Sequence, residues 1–195
     1  LIEEKQMKNL IAVLVFVLCF ASLTKADDTK YIDAMKKNIE QISSMKSIED
    51  MVDLTNSFLR IANAEKDKWL PYYYASYLYT ITSMSDTVNS KKDTYLDEAV
   101  KYLSIADSLQ PNESEIYVIK GLICQARLVV DPMNRYMKYS TEMNVAFKKA
   151  IELDAKNPRP ELLIGMTLFY TPAQFGGGAK AAKQVLETSS KKFNE

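Results

Sequence analysis

The side chains that most often carry out chemistry in proteins are scarce in this sequence. Its 195 residues include no histidine and only two cysteines, Cys19 and Cys124. A chain without histidine lacks the usual general base and the commonest metal ligand, which excludes Ser-His-Asp, Cys-His and histidine-ligated zinc sites. A hydrolase built from carboxylates alone would need two acidic residues that face one cleft.

Acidic residues are paired at Glu49-Asp50, Asp97-Glu98 and Glu113/Glu115. We predict that each pair lies at a helix start, where negative charge suits the helix dipole. The run Gly176-Gly177-Gly178 lacks the lysine and the serine or threonine of a phosphate-binding loop, so we interpret it as a turn. The sequence therefore predicts a non-enzymatic protein with no catalytic residue, cofactor site or metal site.

Residues 1–26 are predicted to be upstream residues followed by a secretory signal peptide that starts at Met7. An apolar run from Leu10 to Leu23 follows a basic residue, and small residues precede a cut after Ala26. The run is shorter than the about 20 residues that cross a bilayer, although an uncleaved anchor stays an alternative. The mature chain is expected to be periplasmic or secreted, with Cys124 buried.

Charge gives no reason to expect nucleic acid as a partner. Removal of residues 1–26 leaves 22 basic and 23 acidic residues, a net charge of −1. There is no basic excess to attract nucleic acid or acidic lipid. Membrane contact is expected only through an uncleaved signal segment.

Small and large apolar residues recur at helical spacing. Ala99, Leu103 and Ala106 lie on one helix face, Pro111 ends that helix, and Gly121 follows on a second helix. This pattern resembles the tetratricopeptide repeat (TPR), a unit of 34 residues that forms a helix–turn–helix. The pattern returns downstream at these positions: Met143, Phe147, Ala150, Gly165, Ala182, Leu186 and Ser189.

The resemblance implies an all-α fold, a short TPR-like α-solenoid of antiparallel helix pairs with about eight helices in the mature chain. Residues 27–66 are expected to form an atypical helix pair, and residues 67–195 about three repeats. The interval from the second helix of one repeat to the first helix of the next is kept at 22 residues, from Ala99 to Gly121 and from Met143 to Gly165. Extra residues fall in the turns within repeats, which lie along one edge of a solenoid.

The block Asn157 to Gly178 resembles exported, single-domain repeat proteins of Bacteroidota. Such a resemblance implies binding or scaffolding rather than catalysis, and names no partner. Because the chain stops inside a predicted helix, we expect a truncated C-terminus.

TPR arrays bind extended peptides in a groove lined by the first helix of each repeat. Carried onto this chain, the groove positions are Tyr72, Ser76, Tyr79, Glu115, Val118, Leu122, Gln125, Arg159, Leu162, Met166, Phe169 and Tyr170. The sequence predicts that this lining takes a protein or peptide partner. The alternatives are a binder of a small apolar or amphiphilic ligand, and burial of these residues against the terminal helices.

Overall fold

The computed structural model describes residues 28–195, so the predicted signal peptide lies outside the described part of the chain. The described residues are almost entirely helical, as predicted, and contain no strand. The helices are α1 (28–41), α2 (Ile48–Ala64), α3 (Trp69–Ser85), α4 (Asn89–Leu109), α5 (Ser114–Val130), α6 (Pro132–Leu153), α7 (Arg159–Tyr170) and α8 (Ala179–Phe193). Two short 3₁₀ helices occur at Ile42–Ser44 and Ala173–Phe175.

Two compact units divide between Ser44 and Met45, so that the described residues 28–44 belong to one and Met45–Glu195 form the other. This division falls inside the helix pair predicted over residues 27–66. In the second unit each helix packs on the next along the chain, and α3 also contacts α5, as α5 does α7. The pairs α3/α4, α5/α6 and α7/α8 therefore stack through their first helices. No helix among residues 28–195 has the length and apolar character needed to cross a membrane.

The small residues of the repeat pattern set how closely the helices of a pair approach. A Cβ atom added to Gly121 would overlap the ring of Phe147 on α6. One added to Gly165 would lie 2.5 Å from Cδ2 of Leu186 on α8. Ala99 and Ala106 are fully buried on α4. The glycines of α5 and α7 thus receive a large residue of the partner helix in the same pair.

Serine hydroxyls add a polar link inside each pair. Ser76 donates to the carbonyl of Ala99 at 2.8 Å, and Ser114 donates to the carbonyl of Ala150 at 2.8 Å. Ser189 donates to the carbonyl of Pro158, also at 2.8 Å. Each link satisfies a hydroxyl that packing would otherwise remove from water at a cost in free energy.

Local signals define several helix ends. Ser47 and Asp50 form a capping box at the start of α2, so the pair Glu49-Asp50 lies at a helix start as predicted. Glu113 caps α5, in agreement with its predicted role. Asp97 and Glu98 differ from the prediction, because α4 already begins at Asn89 and the pair lies in its interior. Residues 176–178 form the predicted turn, in which Gly176 and Gly178 have positive φ angles of 85° and 92°.

In the pairs α3/α4 and α5/α6 the extra residues lengthen the helices instead of forming loops, whereas residues 171–178 form a turn between α7 and α8. Only Asp131 separates α5 from α6, and three residues, 86–88, separate α3 from α4. Asp131 accepts a hydrogen bond from the Asn134 amide and so caps α6. Backbone groups in these segments are therefore satisfied within helices.

An ion-pair cluster holds the lengthened helix ends together. Asp93 on α4 pairs with Arg127 on α5 at 2.5 Å and with Arg135 on α6 at 2.7 Å. Arg127 also pairs with Asp97. The hydrogen bond from Arg135 is the main reason that the pKa of Asp93 falls from 3.8 to about 2.

Substitution of Gly121 by alanine is expected to lower the free energy of unfolding, as measured by urea denaturation. Overpacking against Phe147 should cost about 1–3 kcal/mol, more than the roughly 1 kcal/mol gained in helix propensity. Adding Phe147→Leu should recover part of the loss, because it removes the ring that the new methyl group meets. Strictly additive losses would contradict this packing.

Asp93 is expected to contribute to the pH dependence of stability. Its pKa is lowered on folding, so its contribution is present above its unfolded value of 3.8 and is lost as the pH falls to about 2. Thermal unfolding of Asp93→Asn should therefore depend less steeply on pH across that window than unfolding of the parent protein. Equal slopes would show that the cluster does not stabilise the folded state.

Candidate functional site

The structure divides the twelve predicted groove residues among different environments. Four are buried in the helical array: Tyr72, Ser76, Val118 and Leu122. The Tyr72 hydroxyl donates to the carbonyl of Ala62 at 3.2 Å. These four side chains belong to the packed interior and offer no open surface.

Glu115 and Arg159 are brought together, but they bind each other. Arg159 donates to Glu115 Oε1 at 2.8 Å, as does Asn157, while the Tyr73 hydroxyl donates to Oε2 at 2.8 Å. Burial is the main cause that raises the pKa of Tyr73 well above its usual range, and the negative charge of Glu115 is the next. The hydroxyl therefore stays protonated. The cluster joins α3, α5 and α7 and leaves no vacant charge for a peptide.

The other predicted residues are scattered along the array. Tyr79 stacks against Tyr102 on α4, with ring centroids 5.8 Å apart. Gln125 donates to the Thr167 hydroxyl at 3.1 Å, and Leu162 is half-buried. Three residues on α7 remain exposed: Met166, Phe169 and Tyr170. As a binding surface, the predicted lining stays a prediction.

A different groove opens on the other side of the same helices. It lies between α4 and α6, has α5 as its floor, and encloses about 830 Å³. We call it the outer groove. Its lining comprises Val100, Leu103, Ser104, Tyr117, Lys120, Ile123, Cys124, Thr141, Glu142, Val145, Ala146, Lys148, Lys149 and Glu152. The volume lies within the range of about 300–1,000 Å³ that is typical of small-molecule sites.

The lining of the outer groove is largely apolar at its base. Leu103, Ile123 and Ala146 are buried within the core and present only part of their surface. Val100 and Val145 stand on the two walls and are exposed by 46% and 63%. Because exposed valines on facing walls are unfavourable in water, a flat apolar ligand that covered both would be stabilised.

Basic side chains lie around this apolar surface. Lys120 pairs with Asp107 at 2.8 Å and lies over the Tyr117 ring at 4.3 Å. Lys148 is 4.0 Å from Glu152. The half-buried Lys149 makes no ion pair with any described residue. The groove can therefore offer Lys149 to an acidic group of a ligand without breaking a contact.

Cys124 lines the groove and is only half-buried, whereas the sequence led us to expect it in the core. Burial is the main cause that raises the pKa of the thiol to about 11, and the negative charge of the Glu142 carboxylate is the next. Its sulfur lies 3.9 Å from Glu142 Oε2. The thiol is therefore protonated near neutral pH and is a weak nucleophile and a poor metal ligand.

The sequence reasoning missed the outer groove for an identifiable reason. The TPR pattern assigns positions on the first helices to the ligand and treats the outward face of the second helices as solvated. The exposed residues Val100 and Val145, placed on that face of α4 and α6, were the available signal. Their proximity depends on how far apart α4 and α6 sit across α5, and sequence spacing does not give that distance.

The comparisons with known proteins include an informative relative among solved structures. A scan against protein-family models gave no match, and a search of curated proteins gave none. Among solved structures, the HusA haemophore from Porphyromonas gingivalis matches with 33% sequence identity and a TM-score of 0.75. The match covers 84% of this chain and 80% of that chain. Identity and coverage at this level place the chain in the same family as the HusA haemophore.

Proposed function

We propose that this protein binds haem, or a closely related flat tetrapyrrole, in the outer groove and carries it without transforming it. The observation that carries the proposal is an apolar groove with an unpaired lysine in a relative of a protein named as a haemophore. The ligand-binding alternative drawn from the sequence is thereby favoured over the peptide-binding scaffold.

The chemistry of a tetrapyrrole matches the groove in two respects. Its flat macrocycle is apolar and would cover the walls at Val100 and Val145 together with the Tyr117 ring. Its carboxylates are acidic, and Lys149 could receive one of them as a charge-assisted hydrogen bond. This division between an apolar body and a few polar contacts is common in small-molecule sites.

Apart from the phenol of Tyr117, whose ring lies beneath Lys120, the described residues of the groove offer the iron few ligands. The chain has no histidine, and the Cys124 thiol is protonated near neutral pH because its pKa is raised to about 11. Affinity would then come mainly from the macrocycle and its carboxylates. A metal-free porphyrin would bind with comparable affinity, which suits a carrier that must release its ligand.

The repeat assignment and the export segment predicted from the sequence are part of the same proposal. The helix pairs would be TPR repeats, supported by the match of Gly121 to Phe147 and of Gly165 to Leu186. Residues 1–26 would direct export to the periplasm or beyond the cell. Export is compatible with a role in collecting a ligand outside the cytoplasm.

Replacement of Val145 by aspartate is expected to weaken haem binding by about tenfold or more, because it places a charge on the apolar wall. Titration followed by the haem absorbance band measures the change, and the series is repeated with metal-free protoporphyrin. Val129→Asp is the matched control, since Val129 is similarly exposed but lies outside the groove. If binding were lost in Phe169→Asp instead, the ligand would lie in the groove predicted from the sequence. If the parent protein did not bind haem, the proposal would be refuted.

Cys124 provides a test that needs no substitution. With a pKa of about 11, the thiol should react with iodoacetamide at pH 8 about 100-fold more slowly than free cysteine, since only the thiolate is nucleophilic. Saturating haem should slow the residual reaction further by covering the groove. Mass spectrometry of the alkylated protein gives both rates. An unchanged rate with haem bound would place the ligand elsewhere.

A further inference from the structure

Exposed apolar side chains are concentrated at one edge of the helical array. This hairpin edge is formed by the turns within the three helix pairs, at residues 84–88, 129–137 and 169–175. It carries nine of the fifteen large apolar side chains that are exposed among the described residues: Met84, Val88, Val129, Met133, Tyr136, Met137, Phe169, Tyr170 and Phe175. Met133 is 92% exposed and Met137 78%, so both project far into solvent.

The topology places these residues on the same side. Helices within each pair are antiparallel and consecutive pairs stack through α3, α5 and α7. The turns within pairs therefore follow one another along a single edge, as in other arrays of helix pairs. The ion pairs of Asp93 with Arg127 and Arg135 fix two of the three turns against each other.

The opposite edge has a different character. It consists of the linkers between pairs, at residues 65–68, 110–113 and 154–158, and none of these linkers carries an exposed large apolar side chain, although Phe193 at the end of α8 lies on the same side. Its side chains are mainly charged or polar. Since both edges are equally free to meet water, the apolar residues at the hairpin edge are not explained by helix packing and indicate an interaction surface.

Exposed lysines flank the hairpin edge. The acidic groups inside it are engaged locally: Asp86 is buried and accepts a hydrogen bond from the Val88 amide at 2.8 Å, and Asp131 caps α6. Lys91, Lys138 and Lys180 lie a few residues beyond the three turns, are exposed and make no ion pair with the described residues. Apolar and aromatic side chains at the edge thus have unpaired lysines close by, a local feature that the net charge of −1 over residues 27–195 does not show.

We infer that the hairpin edge docks onto a membrane surface that contains anionic lipid. Methionine, phenylalanine and tyrosine side chains enter the interface between headgroups and acyl chains, while lysines reach the anionic headgroups. Docking would hold the carrier at a bilayer. The outer groove is formed by other faces of α4, α5 and α6, so docking would not cover it. This function is separate from ligand binding and does not depend on it.

Co-sedimentation of the full chain with vesicles tests the inference. Vesicles of phosphatidylcholine with about a third phosphatidylglycerol should carry the protein into the pellet, and phosphatidylcholine alone should carry less. Phe175→Ser should reduce the partition coefficient about tenfold, because a phenylalanine no longer enters the interface. Met133→Ser together with Met137→Ser should reduce it at least as much.

Phe193→Ser is the matched control, because Phe193 is also exposed but lies at the end of α8 away from the hairpin edge. It should leave vesicle binding unchanged, and all variants should keep the circular dichroism and haem titration of the parent. Equal losses in Phe175→Ser and Phe193→Ser would overturn the inference. A parent protein that stays in the supernatant would also overturn it, even if Met133 and Met137 were found to bind another protein.

Discussion

The close approach of the two helices in each pair is the constraint on which the remaining structure depends. Phe147 lies directly over Gly121, where any side chain would overlap its ring. This contact brings α6 against α5 and lets Ser114 reach the carbonyl of Ala150. Since consecutive pairs then stack through their first helices, the position of every wall and edge follows from this packing.

The surfaces on either side of the array differ because of the same arrangement. The face formed by α3, α5 and α7 carries a cluster of polar contacts at the helix starts, in which Glu115 accepts three hydrogen bonds. The second helices α4 and α6 stand apart on either side of α5 and leave the outer groove. The proposed site for a flat ligand would thus arise from the spacing between helices.

The proposed mode of binding in the outer groove does not require histidine. A carrier that binds a macrocycle through apolar walls and a lysine depends little on a bond to the metal, and a protonated Cys124 thiol does not supply one. Similarity to a haemophore and the shape of the groove therefore support one kind of function from independent observations. The charged cluster around Asp93 has a structural role, because it fastens helix ends that protrude beyond a regular repeat.

The sequence by itself determined the helical class and the residues at which helices of a pair meet, because small and large residues at fixed spacing report local packing directly. It also located the lengthened segments, although helix boundaries shifted, since Asn89 and Pro132 extend α4 and α6 into regions expected to be turns. Only the tertiary structure decided which faces remain open. Tyr72 and Val118 are buried, while Val100 and Val145 lie on the two walls of a groove. Burial differs in this way because it depends on distances between helices that lie far apart in sequence.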